Sequence, residues 1–179
     1  STLSLARLIH ENGCPAGVLQ AIASSTAIAE KAVRDERSSV VSFTGSSAVG
    51  WKLRSLVPDR PMALELGGDA SVLLFADADL DEALPRIVNG AFAYAGQICI
   101  SVQHLRVEAS AYDEVRARLT QMVSEVPAGD PAARETVVGP LIDEKARRRV
   151  REWLASAEAA GAHILAGGPG EGAIIPATL

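Results

Sequence analysis

What most limits the folds open to this chain is an alternation: short apolar runs recur between longer segments whose apolar residues return every three to four positions. Residues 18–22, 39–43, 62–66, 71–75, 105–107 and 163–166 are read as strands, and residues 1–12, 27–33, 47–56, 80–94, 112–126 and 143–160 as helices. The punctuation agrees. Asn12-Gly13 with Pro15 just beyond stops the first helix, Ser25-Thr26 caps the second, residues 58–61 carry two prolines after the third, and Gly161 ends the last. Strands joined through helices pair in parallel, because a parallel crossover needs a long connection. The fold class is therefore α/β, with helices on the faces of parallel sheet. Three aspartates at 77, 79 and 81 lack the glycine and distal glutamate of a calcium loop, so they are read as capping the helix from Leu80, with Pro85 expected in its first turn.

Two residues stand out as chemistry-bearing. Glu65 sits in an apolar strand that runs into Gly67-Gly68, and a carboxylate there is expected to be neutral, paired or functional, unless it points to water from an edge. Cys99 follows Gly96 where the chain leaves one helix and is expected to start another, a setting that favours the thiolate form a nucleophile requires. A carboxylate and a thiol together suit acyl chemistry: the thiolate forms a covalent intermediate and the carboxylate activates the water that releases it. A lone cysteine is by itself more often a small hydrophobe, and Cys14, between Gly13 and Pro15 with no acid or histidine nearby, is read as structural. A third feature is the strand that delivers Thr44-Gly45-Ser46 into the helix at 47–56. This is a phosphate-binding arrangement, since glycine admits close approach and the helix N-terminus presents free amides; it is also the form of a plain helix cap.

Composition removes several function classes. The chain has 179 residues, 48% hydrophobic and 22% charged, which suits an ordinary globular protein. A net charge of −5 argues against a nucleic-acid surface, and the one basic run, 145–151, is read as a solvated helix face. Two cysteines and three scattered histidines supply neither a disulfide framework nor metal-ligand spacing. No apolar run approaches the roughly 18 residues of a membrane span. Expected from these readings are no nucleic acid, no membrane, no metal and a cytoplasmic location.

Five motifs in order carry a resemblance: Phe43-Thr44-Gly45-Ser46, Glu65-Leu66-Gly67-Gly68, Asp77-Ala78-Asp79-Leu80-Asp81, Gly96-Gln97-Ile98-Cys99 and Val138-Gly139-Pro140-Leu141. With Glu65 and Cys99 standing 34 positions apart, and matches from Gly13 almost to Leu179, the chain resembles the aldehyde dehydrogenase superfamily. The resemblance implies part of that fold: residues 1–65 as the C-terminal part of a Rossmann-type cofactor-binding domain, and residues 66–179 as the N-terminal part of the α/β catalytic domain. The boundary so implied runs between the two candidate catalytic residues. It further implies Cys99 as the nucleophile that forms a thiohemiacetal and then a thioester, and Glu65 as the base for hydrolysis. Gly45, Ser46, Val49, Gly50 and Leu66 are implied as cofactor-binding, with Ser46 on the pyrophosphate, Val49 near the adenine and the Leu66 backbone at the carboxamide. The implied cofactor is NAD or NADP, the substrate a small aldehyde, and the assembly a homo-oligomer, dimer or tetramer.

Family members are usually more than twice as long, so the resemblance also implies family segments before Ser1 and after Leu179, and an isolated 179-residue chain that is inactive and prone to associate. Asp69 stands where the family often has Lys, Asn or Ser. Cys99-Ile100-Ser101-Val102-Gln103 is similar to the small-aldehyde branch. Two rival readings follow from the same residues: a noncatalytic module that keeps the fold pieces, and a thiol peroxidase or protease that pairs Cys99 with His104.

Overall fold

The computed structural model describes residues 2–179; Ser1, with which the first helix was expected to begin, lies outside the described residues. The chain divides into two compact units, Ser1–Leu66 and Gly67–Leu179.

The first unit contains helices α1 (Thr2–Glu11) and α2 (Thr26–Arg34), strand β1 (Val41–Gly45), helix α3 (Ser47–Leu56) and strand β2 (Met62–Leu66). β1 and β2 pair in parallel, with Val41 opposite Met62 and Gly45 opposite Leu66. Along β2 the half-buried Met62, Leu64 and Leu66 alternate with exposed Ala63 and Glu65, the two-residue period of a strand with one face covered. The expected strand at 18–22 does not form. Val18 and Ile22 are 72% and 77% exposed, and with no described strand beside it this apolar run has no ladder to join. β1 begins two residues later than expected and alternates in burial instead of being buried throughout. One ion pair ties α3 to α2, with Lys52 Nζ 2.6 Å from Glu30 Oε2; Arg34 meets the same carboxylate within α2 at 3.1 Å, and in the loop that follows the Arg37 guanidinium meets Asp35 at 2.8 Å.

In the second unit β3 (Ala70–Leu74) leads into α4 (Leu80–Phe92), then β4 (Val102–Val107), α5 (Tyr112–Ser124) and α6 (Glu144–Ala159). β3 and β4 are parallel, with a register shift between Ala70 and Ser71 that leaves Gln103 as the extra residue on β4. Asp79 caps α4 as expected, its side chain accepting from the amides of Asp81 and Glu82 at 2.9 and 3.3 Å. Pro85 falls beyond the first turn of α4, inside the helix, where it withholds an amide from the Asp81 carbonyl. One apolar core joins these elements: Leu74 of β3, Leu84 and Ile87 of α4, Val115, Leu119 and Val123 of α5, and Val138, Ala166 and Ala177 from the loops beyond.

No strand forms at 163–166. Ladder-like ties there run to Leu179, from Leu165 N to Leu179 O at 2.8 Å, from Ala166 N to Leu179 O at 3.4 Å and from Leu179 N to Ala166 O at 3.1 Å. α6 falls one residue short of its expected limits at each end, with Asp143 and Ala160 as its caps; none of its residues is fully buried and Trp153 is 61% exposed. Two arginines attach it to the glycine loop at 167–172. Arg151 donates from Nε to Pro169 O at 2.9 Å and from its guanidinium to Gly170 O at 2.7 Å, and Arg147 donates to Gly172 O.

Candidate active site

In the first unit the parallel pairing gathers six of the singled-out residues at one end of the strands. Gly45 closes β1, Ser46 follows it as N-cap of α3, and Glu65 and Leu66 close β2 opposite Thr44 and Gly45. The carboxyl ends of parallel strands, with a helix starting there, are where α/β sheets take ligands. Ser46 accepts the first intrahelical bond through its carbonyl, from Gly50 N at 3.0 Å, while its side chain makes no capping bond. Gly50 is buried because α3 lies tight on β2: a Cβ there would stand 2.5 Å from Leu66 Cδ2. Gly45 has similar neighbours, with the Phe43 ring 2.6 Å from where its Cβ would be. Val49 is exposed one turn into α3. Glu65 is also exposed, so the cost of burying a charge does not arise for it.

Cys99 belongs to the second unit. The chain leaves α4 at Phe92 and tightens into a short 3-10 turn, Ala93–Gly96, in which Tyr94, Ala95 and Gly96 take φ values of 53°, 55° and 69°. Left-handed backbone at two successive non-glycine residues is costly, of order 1–3 kcal/mol each, and persists only where surroundings impose it. A second turn follows, closed by Ser101 N donating to Ile98 O at 3.1 Å, with Cys99 and Ile100 exposed at its two central positions. The chain then enters β4 directly. No helix begins at Cys99, contrary to expectation, because Ala70 of β3 pairs with Val102 and commits the segment to extended structure.

Two residues fix this turn. A Cβ on Gly68 would lie 2.5 Å from the Cys99 carbonyl oxygen, so only glycine lets the two backbones approach. Ser101 is 2% exposed and donates from Oγ to Ala91 O at 2.9 Å. Sequence reasoning passed over Ser101, and its one visible sign is a polar residue at the mouth of an apolar strand. Cys14, half-buried, bonds weakly to its neighbour Pro15 O at 3.8 Å, in keeping with a structural role. His104, the candidate partner of a thiol enzyme, has Nε2 2.9 Å from Asp69 Oδ1, both side chains being partly in solvent.

Among the described residues no three His, Cys, Asp or Glu side chains are grouped to hold a metal ion, and no helix is long and apolar enough to cross a membrane.

The comparisons with known proteins agree on one family. A vanillin dehydrogenase of Corynebacterium glutamicum is 37% identical over 175 residues, covering 95% of this chain and 36% of the relative. The NADP(+) succinate-semialdehyde dehydrogenase of Escherichia coli is 37% identical over 171 residues, covering 94% and 36%. Among solved structures, an NAD-dependent benzaldehyde dehydrogenase from Corynebacterium glutamicum superposes with a TM-score of 0.90 at 35% identity, over 97% of this chain and 39% of that one. The chain thus spans a little over a third of the length of the curated relatives it matches. With the model of the aldehyde dehydrogenase family matched over residues 1–179, this chain belongs to the aldehyde dehydrogenase family.

Proposed function

We propose that the protein carrying this chain oxidises a small aldehyde to the carboxylic acid with NAD or NADP, Cys99 acting as nucleophile and Glu65 as general base. The observation that carries the reading is the family match itself, within which Cys99 is held exposed at the head of a turn that a glycine and a buried serine define. Residues 1–65 would form the end of the cofactor-binding domain and residues 66–179 the start of the catalytic one, so the two catalytic roles fall to one residue of each. The thiolate of Cys99 adds to the aldehyde carbon and makes a tetrahedral thiohemiacetal. A bound nicotinamide cofactor would supply the acceptor for the hydride this carbon gives up, with Cys99 holding the oxidised carbon as a thioester. Glu65 then takes a proton from a water that attacks the thioester, releasing the acid and restoring the thiolate.

The residues at the head of β1 and α3 suit the cofactor. Gly45 ends β1 directly before the helix, the Ser46 hydroxyl is not spent on capping, and the first amides of α3 are free donors with the positive end of the helix dipole behind them. Val49 and Gly50 form the next turn, exposed and buried respectively, and Leu66 offers its backbone beside them. The relatives act on aromatic aldehydes and on succinate semialdehyde by their names, which frames the substrates to try. A homo-oligomer, dimer or tetramer, completes the proposal.

The test follows formation of reduced cofactor by the intact protein from vanillin, benzaldehyde and succinate semialdehyde, with NAD and NADP in parallel. Cys99→Ser should abolish it. Glu65→Gln should lower steady turnover about 10²–10⁴-fold, the usual worth of a general base, while a first-turnover burst of reduced cofactor survives. A Cys99→Ser protein with undiminished turnover would refute the reading, and loss of the burst in Glu65→Gln would move Glu65 to the activation of the thiol.

A further inference from the structure

The turn that presents Cys99 is held against its own backbone preference, and one buried hydroxyl does much of the holding. Ala91 lies in the last turn of α4, where Asn89 O still accepts from the C-cap amide of Ala93 and the carbonyls after it have run out of helical amides to accept from. One of those carbonyls, Ala91 O, is satisfied by Ser101 Oγ at 2.9 Å, across ten residues of chain that include all of the left-handed segment and Cys99. The Ser101 amide is engaged as well, with Ile98 O, so the residue ties the end of the Cys99 turn both to its own beginning and to the helix behind. Gly96 passes over this link: a Cβ there would stand 3.1 Å from Ala91 O and 3.7 Å from Ser101 Oγ. From the other side, Gly68 meets the Cys99 carbonyl.

Given the role of Cys99 stated above, on which the inference rests, we infer that Ser101 is a positioning residue: its hydroxyl, donated to Ala91 O, pins the Cys99 turn to α4 and fixes the direction in which the thiol meets an incoming carbon. The argument is one of restraint. Tyr94 and Ala95 sit in a backbone region that a free chain leaves, and a turn released from Ser101 has both the reason and the slack to relax. A nucleophile misplaced by an ångström loses much of its rate even when every residue remains present. Deleting the hydroxyl also leaves the part-buried Ala91 carbonyl without this donor, which adds a reason for the turn to rearrange.

Iodoacetamide reads the thiol without requiring any aldehyde, and Cys14, in the other unit, is an internal control. In the protein that carries this chain, the rates of carboxamidomethylation of both cysteines are followed by peptide mapping for wild type, Ser101→Ala and Ser101→Thr, beside thermal melts. Ser101→Ala should slow Cys99 about fivefold or more and leave Cys14 within about twofold, while Ser101→Thr, which keeps the donor, should restore Cys99 to within about twofold of wild type. An unchanged Cys99 rate in Ser101→Ala, or equal slowing of both thiols, would overturn the inference, the latter because it marks general loosening. Should Ser101→Ala fail to fold, Gly96→Ala crowds the same bond from above and must show the same selective slowing; a wild-type Cys99 rate there overturns it too. Failure of the catalytic reading is seen separately, as turnover retained by Cys99→Ser with the alkylation pattern intact.

Discussion

The two units are built by opposite means. In the second, a continuous apolar core runs from β3 through α4 and α5 into the closing loops, and its centre is dry: Leu84 is 0% and Val115 1% exposed. In the first, α1 buries only Ala6, α2 buries nothing, and Leu3, Leu5, Leu8 and Trp51 are each more than half exposed. Its buried apolar residues are Val41, Leu53 and Val57 around the parallel pair, supplemented by the ion pairs of Glu30 and Asp35. Apolar burial is worth far more per residue than exposed ion pairing. The turn that carries Cys99 is thus mounted on the part of the chain with the larger apolar core, and the candidate cofactor corner on the part whose structure is local and polar.

The largest effect should come from the core of the second unit. Leu84→Ala is expected to cost about 3–5 kcal/mol in urea unfolding, since it empties a fully buried site among α4, α5 and β3, whereas Leu8→Ala on α1 should stay within about 0.5 kcal/mol. Equal costs would erase the contrast between the units. Next in size is Gly68→Ala, where the added methyl meets a backbone oxygen and not a yielding side chain. Overpacking of this kind costs about 1–3 kcal/mol and should also alter the alkylation rate of Cys99; a neutral result would mean that the approach of the two backbones is not obligatory.

The smallest effect belongs to acid and salt. Lys52, and after it Arg34, hold the Glu30 carboxyl below its ordinary range by hydrogen bonding, and the Arg37 side chain followed by its backbone amide does the same for Asp35, more strongly. Carboxylates depressed in the folded state stabilise it above the usual carboxylate range, and that contribution fades as pH falls through about 4 toward the folded values. Amide protection in α2 and α3 should therefore weaken on acidification and in 1 M NaCl, both modestly because the pairs are exposed, while the protection of α4 and α5 is unmoved by salt. An α4 response as large as that of α2 would count against the division.

Local patterns were legible to the residue where local forces decide. α3 and β2 have the limits read from the sequence, and Asp79 caps the helix it was expected to cap. The grouping of Gly45, Ser46, Val49 and Gly50 was legible for the same reason, being set by one strand, one turn and one helix. What escaped depends on partners distant in sequence. The run at 18–22 is apolar at Val18, Leu19 and Ile22 but has no strand beside it among the described residues. Ser101 looks like any hydroxyl until α4 brings Ala91 beneath it. The left-handed pair at Tyr94 and Ala95 is not made of glycines, so nothing in its own residue types announces it. The pairing of Asp69 with His104 needed the register of β3 on β4.

The attachment of α6 has a mechanical meaning. A helix sunk into a core is released only when the core melts, but α6 hangs on guanidinium groups that grip the carbonyls of a glycine loop, with nothing of its own fully buried. Those cords are directional, so α6 is expected to open by losing its guanidinium–carbonyl bonds before the core beneath it melts, and its amides should exchange faster than those of α4 and α5.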